Sequence, residues 1–422
     1  MIFALACYGS RGDVEPCAAV CLELLRRGHE VRTAVSPDLV DFAEEAGLAA
    51  VGYGLDAQAP LEAQREFVTS LFTKPWKTRH LHALWREHGE VLAKCWDEMN
   101  TTLTALTAGA DLLFSGMLFQ QLAANIAEYY DIPLATLHYF PMRANGRLLP
   151  SLPPTLTRAA MKADEWLGWR MTKKAEDAQR RKLGLPKATG PVPRRIAERG
   201  SLEIQAYDEV CFPGLAAEWA KWGGQRPFVG TLTMELPTGA DQEIASWIAA
   251  GTPPIYFGFG SVSVESPADT LGMIGAACAQ LGERALVCSG WSDFSNLPHF
   301  DHVKVVDTVN FATTFPACRA VVHHGGAGTT AAGLRAGVPT LILWKDLSQP
   351  IWGAQVKRLK VGAARRFWAT TQESLVADLR TILAPQYLTR AREVATRMTA
   401  SAESVTRAAD LVENFARVRR VG

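Results

Sequence analysis

The chain has 422 residues, 48% of them hydrophobic and 21% charged, with 44 Lys and Arg against 43 Asp and Glu. That is the composition of a globular chain long enough for two domains, and a net charge of +1 provides no basic field for a nucleic acid. No apolar run approaches the roughly 20 residues that a membrane span needs.

Residues 1–7 (MIFALAC) are apolar but short, and Gly9, Arg11 and Asp13 follow at once. They read as a buried strand and not as a signal peptide. Val14, Cys17, Ala18, Cys21, Leu22 and Leu25 then recur at helical spacing, Gly28 ends the helix, and Glu30–Val35 alternates like a strand. Strand, helix and strand at the start predict an α/β domain with a parallel sheet. The stretch has no G-x-G-x-x-G, so nothing supports a nicotinamide site. Asp13 stands where loop meets helix. Its plain structural reading is an N-cap, with Pro16 in the first turn. The eight cysteines are scattered without a C-x-x-C pair and read as buried thiols of a reducing cytoplasm.

Between residues 55 and 99, Phe67, Leu71, Phe72, Trp76, Trp85 and Trp96 are interleaved with Lys74, Lys77, Arg79, His80, His82 and His88. Core plus solvated faces is the default, and the histidines lack metal-ligand spacing. Residues 111–115 and 133–138 read as strands with a helix at 119–130 between them. The loop 138–146 leaves the C-terminal end of a strand, where α/β sheets place ligands. Tyr139, Phe140 and Met142 are its candidate ligand walls, with a neutral hydrophobic loop as the alternative. From Arg158 to Arg199 there are twelve basic and five acidic residues, beside Trp166, Leu167 and Trp169. Such a stretch fits an anionic membrane surface or, more commonly, a solvated helical face.

Residues 204–207 read as the last strand of the first half, and Gly/Pro-punctuated segments place a boundary within 212–240. Residues 254–261 run as a strand into Gly258, Gly260 and Ser261, a possible phosphate cradle, and residues 284–291 end a strand with Gly290 and Trp291. The most informative stretch is Val321-Val322-His323-His324-Gly325-Gly326-Ala327-Gly328-Thr329-Thr330. An apolar run ends in two histidines, a glycine turn opens a helix to about residue 336, Gly337 and Pro339 stop it, and residues 340–344 resume an apolar run. This is one βαβ unit. Its turn suits an anion such as phosphate, because glycines let amides approach a ligand and the helix N-terminus is partly positive. A turn that merely connects two elements is the alternative. Residues 401–418 form an amphipathic helix with Val405, Ala408, Ala409, Leu411, Val412 and Phe415 as its apolar set.

Residues 323–330 followed by Ala336-Gly337-Val338-Pro339 resemble the donor-binding signature of family 1 glycosyltransferases with the GT-B fold. The bacterial branch acting on glycopeptides, sterols and lipids is the most similar. Gly9-Ser10-Arg11-Gly12-Asp13-Val14-Glu15-Pro16 resembles the first motif of the same branch, about 310 positions earlier. The resemblance implies two doubly wound Rossmann-like α/β domains facing across a cleft: an acceptor domain at 1–212, a linker at 213–240, a donor domain at 241–400, and a final helix at 401–422 returning to the first domain. It implies Asp13 as general base. It places Ser261, His323, the turn Gly325, Gly326, Ala327 and Gly328, and Thr329 on the donor diphosphate, with Trp291 stacked on the base. Ser10, Arg11, Phe72, Trp76, Tyr139, Phe140 and Met142 become acceptor-site candidates, and so many aromatics point to a greasy acceptor.

Relatives carry Asp-Gln, whose side chains hold the donor sugar hydroxyls, where this chain has Ser348-Gln349, with Asp346 two residues earlier, so Gln349 is an expected donor contact. Serine is shorter and uncharged, so the donor sugar is expected to depart from glucose, toward a deoxysugar, unless Asp346 takes the missing place. The expected reaction is inverting transfer from a UDP- or dTDP-sugar to a hydrophobic hydroxyl acceptor such as a glycolipid, lipopeptide or sterol-like product. No metal, cofactor or nucleic acid is expected. The chain is expected in the cytoplasm, with a peripheral membrane contact through 158–199 open. A sugar-nucleotide epimerase of the same fold and a non-catalytic nucleotide-sugar-binding protein are the alternatives.

Overall fold

A computed structural model describes residues 1–58, 70, 76, 78–149, 152–260, 266–290, 300–346 and 348–421. Phe72, Ser261 and Trp291 therefore lie outside the described residues. The chain divides into two compact units, Met1–Met234 with Thr399–Gly422, and Glu235–Met398.

The first unit holds β1 (Ile2–Cys7), β2 (Glu30–Val35), β3 (Ala50–Gly52), β4 (Leu112–Ser115), β5 (Leu134–His138) and β6 (Leu202–Gln205). The second holds β7 (Ile255–Gly258), β8 (Ala285–Cys288), β9 (Val303–Val306), β10 (Ala320–His323), β11 (Thr340–Trp344) and β12 (Gly362–Arg366). Every pairing between these strands is parallel. The sheets run β3-β2-β1-β4-β5-β6 and β12-β11-β10-β7-β8-β9. Counted within its unit, each has the doubly wound order 3-2-1-4-5-6, whose direction reverses between its first and fourth strands. Ligands of such sheets bind beyond the carboxyl ends of the strands at that reversal. The switch points are β1/β4 and β7/β10.

Parallel strands covered on both faces read as continuous apolar runs, and alternation divides their residues between two cores. In β1, Phe3, Leu5 and Cys7 pack on one side, while Ala4 and Ala6 join Trp96, Met99 and Leu103 on the other. In the second sheet, Ala320 and Val322 pack with Ile274 and Leu379, and Val321 packs with Phe315 and Val338. The final helix, Ser401–Val421, buries Ala408, Ala409, Val412 and Ala416 in the core under the first helix, Arg11–Arg26. Arg27 fixes it through Asp410 at 2.7 Å and Glu413 at 3.0 Å.

Part of the segment expected as a linker is built into the first unit. Glu203 and Gln205 N–H groups donate to the carbonyls of Gln225 (2.7 Å) and Pro227 (2.8 Å), so residues 225–229 extend the sheet beyond β6. All eight cysteines are free and seven are buried. No helix among the described residues is long and apolar enough to cross a membrane.

Candidate active site

At the first switch point, β1 ends in a turn that only glycine can make. Gly9 has φ +131°, and a Cβ there would lie 2.3 Å from Asp13 Oδ2. Ser36, at the end of β2, fixes the turn from below. Its hydroxyl accepts from Gly9 N–H at 2.9 Å and donates to Gly9 O at 3.0 Å. The expectation of Asp13 as N-cap is corrected. Ser10 is the N-cap and Asp13 is the third helical residue, whose carboxylate reaches back as in a capping box. Asp13 Oδ2 accepts from Ser10 N–H (2.7 Å) and Ser10 Oγ–H (2.9 Å). Pro16 is not in the first turn either. It is the sixth residue of the helix, where its missing N–H forfeits the bond to the Gly12 carbonyl.

The structure brings Tyr139 to this carboxylate, since its hydroxyl donates to Asp13 Oδ1. Phe140 packs edge-on to Tyr139, with ring centroids 6.1 Å apart. Met142 is half-buried on the same loop. Arg11 is exposed, pairs with Glu15 at 3.0 Å and lies over the Phe42 ring, and Trp76 is exposed.

The Tyr139 loop is fixed from beneath by a network that sequence reading missed. Glu203, fully buried, pairs with Arg143 and, at 2.9 Å, with Arg226. Burial pushes this carboxyl up, but the two guanidiniums and His138 outweigh it and leave it below its usual range. Arg226 in turn lies over the Trp222 ring at 4.4 Å. Arg143 also donates to Gln120 at 2.7 Å. Buried His138, at the end of β5, is held down to about 3 by burial and then by Arg143. Glu165 accepts from Ala144 N–H (2.9 Å), and Glu218 accepts from Gly146 N–H (3.0 Å) and Arg158 (2.7 Å). Partners such as Arg143 and Glu203, 60 residues apart, leave no local sequence signal.

At the second switch point, β10 ends in His323, which is fully buried. Gly325 N–H donates to its Nδ1 at 3.0 Å. An accepting Nδ1 places the ring proton on Nε2, and that buried Nε2 has no partner among the described residues. Burial, then His324, holds the imidazole well below its ordinary range, so it is neutral at physiological pH. Gly325 has φ +98°, and a Cβ there would lie 2.8 Å from Ile342 Cγ2 and 3.1 Å from Gln349 Cβ. The helix Ala327–Ala336 starts at Gly326, an N-cap with no side chain, so no cap from its own sequence covers its first amides. Gly326, Ala327, Gly328 and Thr329 are half-exposed there, whereas Thr330 is buried and bonds back to the Gly326 carbonyl at 2.7 Å.

Sequence reading passed over His324. Its ring is wedged between two glycines: a Cβ on Gly260 would lie 2.8 Å from His324 Cε1, and one on Gly326 2.6 Å from its Nε2. A Cβ on Gly290 would meet Gly260 O at 2.4 Å. The ends of β7, β8 and β10 thus meet with no room for side chains. The doubled His-Gly pairs at 323–326 were the available signal.

Gln349 is buried beside Gly325, and its Oε1 accepts from Lys345 N–H (2.7 Å) and Asp346 N–H (2.9 Å). Its carbonyl oxygen therefore shapes the loop that carries Asp346. Ser348 is the N-cap of the helix Gln349–Leu359 but makes no side-chain cap bond.

The family model of the erythromycin biosynthesis protein CIII-like C-terminal domain matches residues 278–415, and that of the glycosyltransferase family 28 N-terminal domain matches residues 3–94. The chain is 61% identical to an uncharacterized glycosyltransferase of Mycobacterium tuberculosis, covering 100% of both. It is 30% identical to the glycosyltransferase GtfE of Amycolatopsis orientalis, over 97% of this chain and 96% of that one. It is 28% identical to a sterol 3-beta-glucosyltransferase of Arabidopsis thaliana, over 93% of this chain and 64% of that one. Among solved structures, the calicheamicin glycosyltransferase CalG4 aligns with a TM-score of 0.70 at 17% identity, covering 99% of this chain and 98% of that one. The glycosyltransferase VinC in complex with dTDP aligns at 0.66 and 18%, covering 99% and 100%. These two likenesses show the fold. Sequence identity carried along the full length, on two doubly wound sheets of the GT-B type, means that the chain belongs to the family 1 glycosyltransferases.

Proposed function

We propose that the protein transfers a sugar, with inversion, from a nucleoside-diphosphate sugar to a hydroxyl of a hydrophobic acceptor. The observation that carries this reading is His323. A neutral imidazole, buried with its Nε2 proton unpartnered among the described residues, is a pre-set donor for an oxygen that gains charge. The uncapped first turn of Ala327–Ala336 adds amides of the same polarity. In the chemistry proposed, the acceptor oxygen attacks the anomeric carbon and the bond from that carbon to the diphosphate oxygen breaks. The diphosphate keeps the electron pair, stabilised by His323 and the turn 325–329. Asp13 takes the acceptor proton, late, because a carboxylate is a weak base toward an alcohol until the oxygen has begun to bond.

UDP and dTDP are the favoured nucleotides, and the dTDP complex of VinC supports including the latter. Ser261 and Trp291 are proposed to contact the diphosphate and the base. Ser348, whose hydroxyl caps no helix, and Asp346, on the loop that Gln349 holds, are the proposed sugar contacts. A shorter, neutral side chain at 348 favours a sugar lacking one hydroxyl. Ser10, Arg11, Phe72, Trp76, Tyr139, Phe140 and Met142 are the proposed acceptor contacts. A sterol glucosyltransferase among the relatives supports a polycyclic or lipidic acceptor.

The test is thermal stabilisation by a panel of UDP-, dTDP- and GDP-sugars, with His323→Ala beside the wild type. Stabilisation by one donor class that His323→Ala loses is the expected result. Stabilisation by none, or equal stabilisation of the variant, overturns the assignment of the donor site.

A further inference from the structure

The helix Pro154–Lys182 buries several charged and amide groups and exposes several large apolar ones. Its inward side chains include charged and amide groups: Glu165 holds the Tyr139 loop, Glu176 pairs with Arg195, Gln179 accepts from Asn125 Nδ2 (2.8 Å), and Arg180 pairs with Glu128 (2.8 Å). Its outward side chains include Leu156 at 60% exposure, Trp166 and Leu167 at 53%, and Met171 at 47%. Leu156, Ala163, Leu167 and Met171 recur at steps of seven, four and four residues, so they form one stripe about 22 Å long at 1.5 Å per residue. A surface helix normally turns such a stripe inward. Single exposed apolar residues are ordinary, but a contiguous patch marks a docking surface.

The charges around the stripe decide what docks. Seven of the twelve basic residues at 158–199 are spent on acids: Arg158, Lys173, Arg180, Lys182, Arg194, Arg195 and Arg199 all sit in ion pairs. The membrane expectation drawn from the whole stretch is thereby narrowed. Lys162, Arg170 and Lys174 are exposed on this helix with no acidic partner among the described residues. Arg170 lies over the Trp166 ring at 5.6 Å, and exposed Asp164 is the acid at the margin.

We infer that this face docks on an anionic lipid surface, with Leu156, Trp166, Leu167 and Met171 entering the headgroup layer. Lys162, Arg170 and Lys174 meet lipid phosphates there. Tryptophan favours that boundary, and long basic side chains reach from an apolar face to a charged plane. The inference is independent of the donor and acceptor assignments above.

The experiment is co-sedimentation of the full chain with vesicles of phosphatidylcholine alone and of phosphatidylcholine with phosphatidylglycerol. Two variants accompany the wild type, Trp166→Ala/Leu167→Ser and Lys162→Glu/Lys174→Glu. All four side chains are exposed, so unchanged melting temperatures establish that the variants fold. The expected result is binding to the anionic vesicles only, weakened at least about tenfold by either variant and by high salt. Absence of binding to anionic vesicles, or equal binding by the variants, overturns the inference. So does a dimer in solution that Leu167→Ser dissociates, because a second copy is then the occupant of the stripe.

Discussion

Both oxygens of the Asp13 carboxylate are engaged before any substrate arrives: Oδ2 by Ser10 and Oδ1 by Tyr139. These bonds orient the carboxylate. Asp13→Asn keeps the size and loses the proposed base. It is expected to lower kcat by about 10²–10⁴-fold while donor-induced stabilisation persists. Tyr139→Phe removes the hydroxyl that orients Oδ1, so kcat is expected to fall while donor-induced stabilisation persists. An unchanged kcat contradicts a role for Tyr139 acting through Asp13. His323 makes a pH prediction. Burial keeps the ring neutral well below its ordinary range, so donor affinity is expected to be flat from about pH 6 to about pH 8. A calorimetric titration that steps near pH 6.5 and goes flat in His323→Ala contradicts it.

At the scale of elements, the glycine turns were legible because their cause is local. A strand end, a glycine and a helix start within ten residues predict a tight strand-to-helix turn whatever surrounds them. Cap register was less legible: Ser10 and Asp13 both suit an N-cap, and only the backbone puts Ser10 at the cap and Asp13 inside the helix. The anchor of the Tyr139 loop left no sequence trace, since Glu203 acts on Arg143 and Arg226 from other segments. Glu203→Gln removes the counter-charge of two buried guanidiniums, and breaking such a pair costs about 3–5 kcal/mol. Denaturant unfolding is expected to show that loss, and the surviving protein should show a higher acceptor KM with little change in donor affinity. A loss below ~1 kcal/mol contradicts the anchoring role.

For the whole molecule, the fold class was legible from strand–helix alternation and from two motifs about 310 residues apart. Residues 225–229, inside the segment expected as a linker, pair with β6, a contact that no local pattern announces. Acid stability is a property of the whole chain with an identifiable source. His138 titrates at about 3 when folded against 6.5 ordinarily. The unfolded chain thus binds a proton below about pH 6.5 that the folded chain refuses, and stability falls as pH drops through that window toward about 3, by up to ~1.4 kcal/mol per pH unit. His138→Gln is expected to remove that component from the pH dependence of unfolding. The decisive measurement is NMR of the product formed from an α-linked nucleotide sugar and a hydrophobic hydroxyl acceptor, with Asp13→Asn in parallel. Inverting transfer with Asp13 as base predicts a β-linked product, formed at least about 100-fold more slowly by the variant. An α-linked product, or a variant as fast as the wild type, contradicts it.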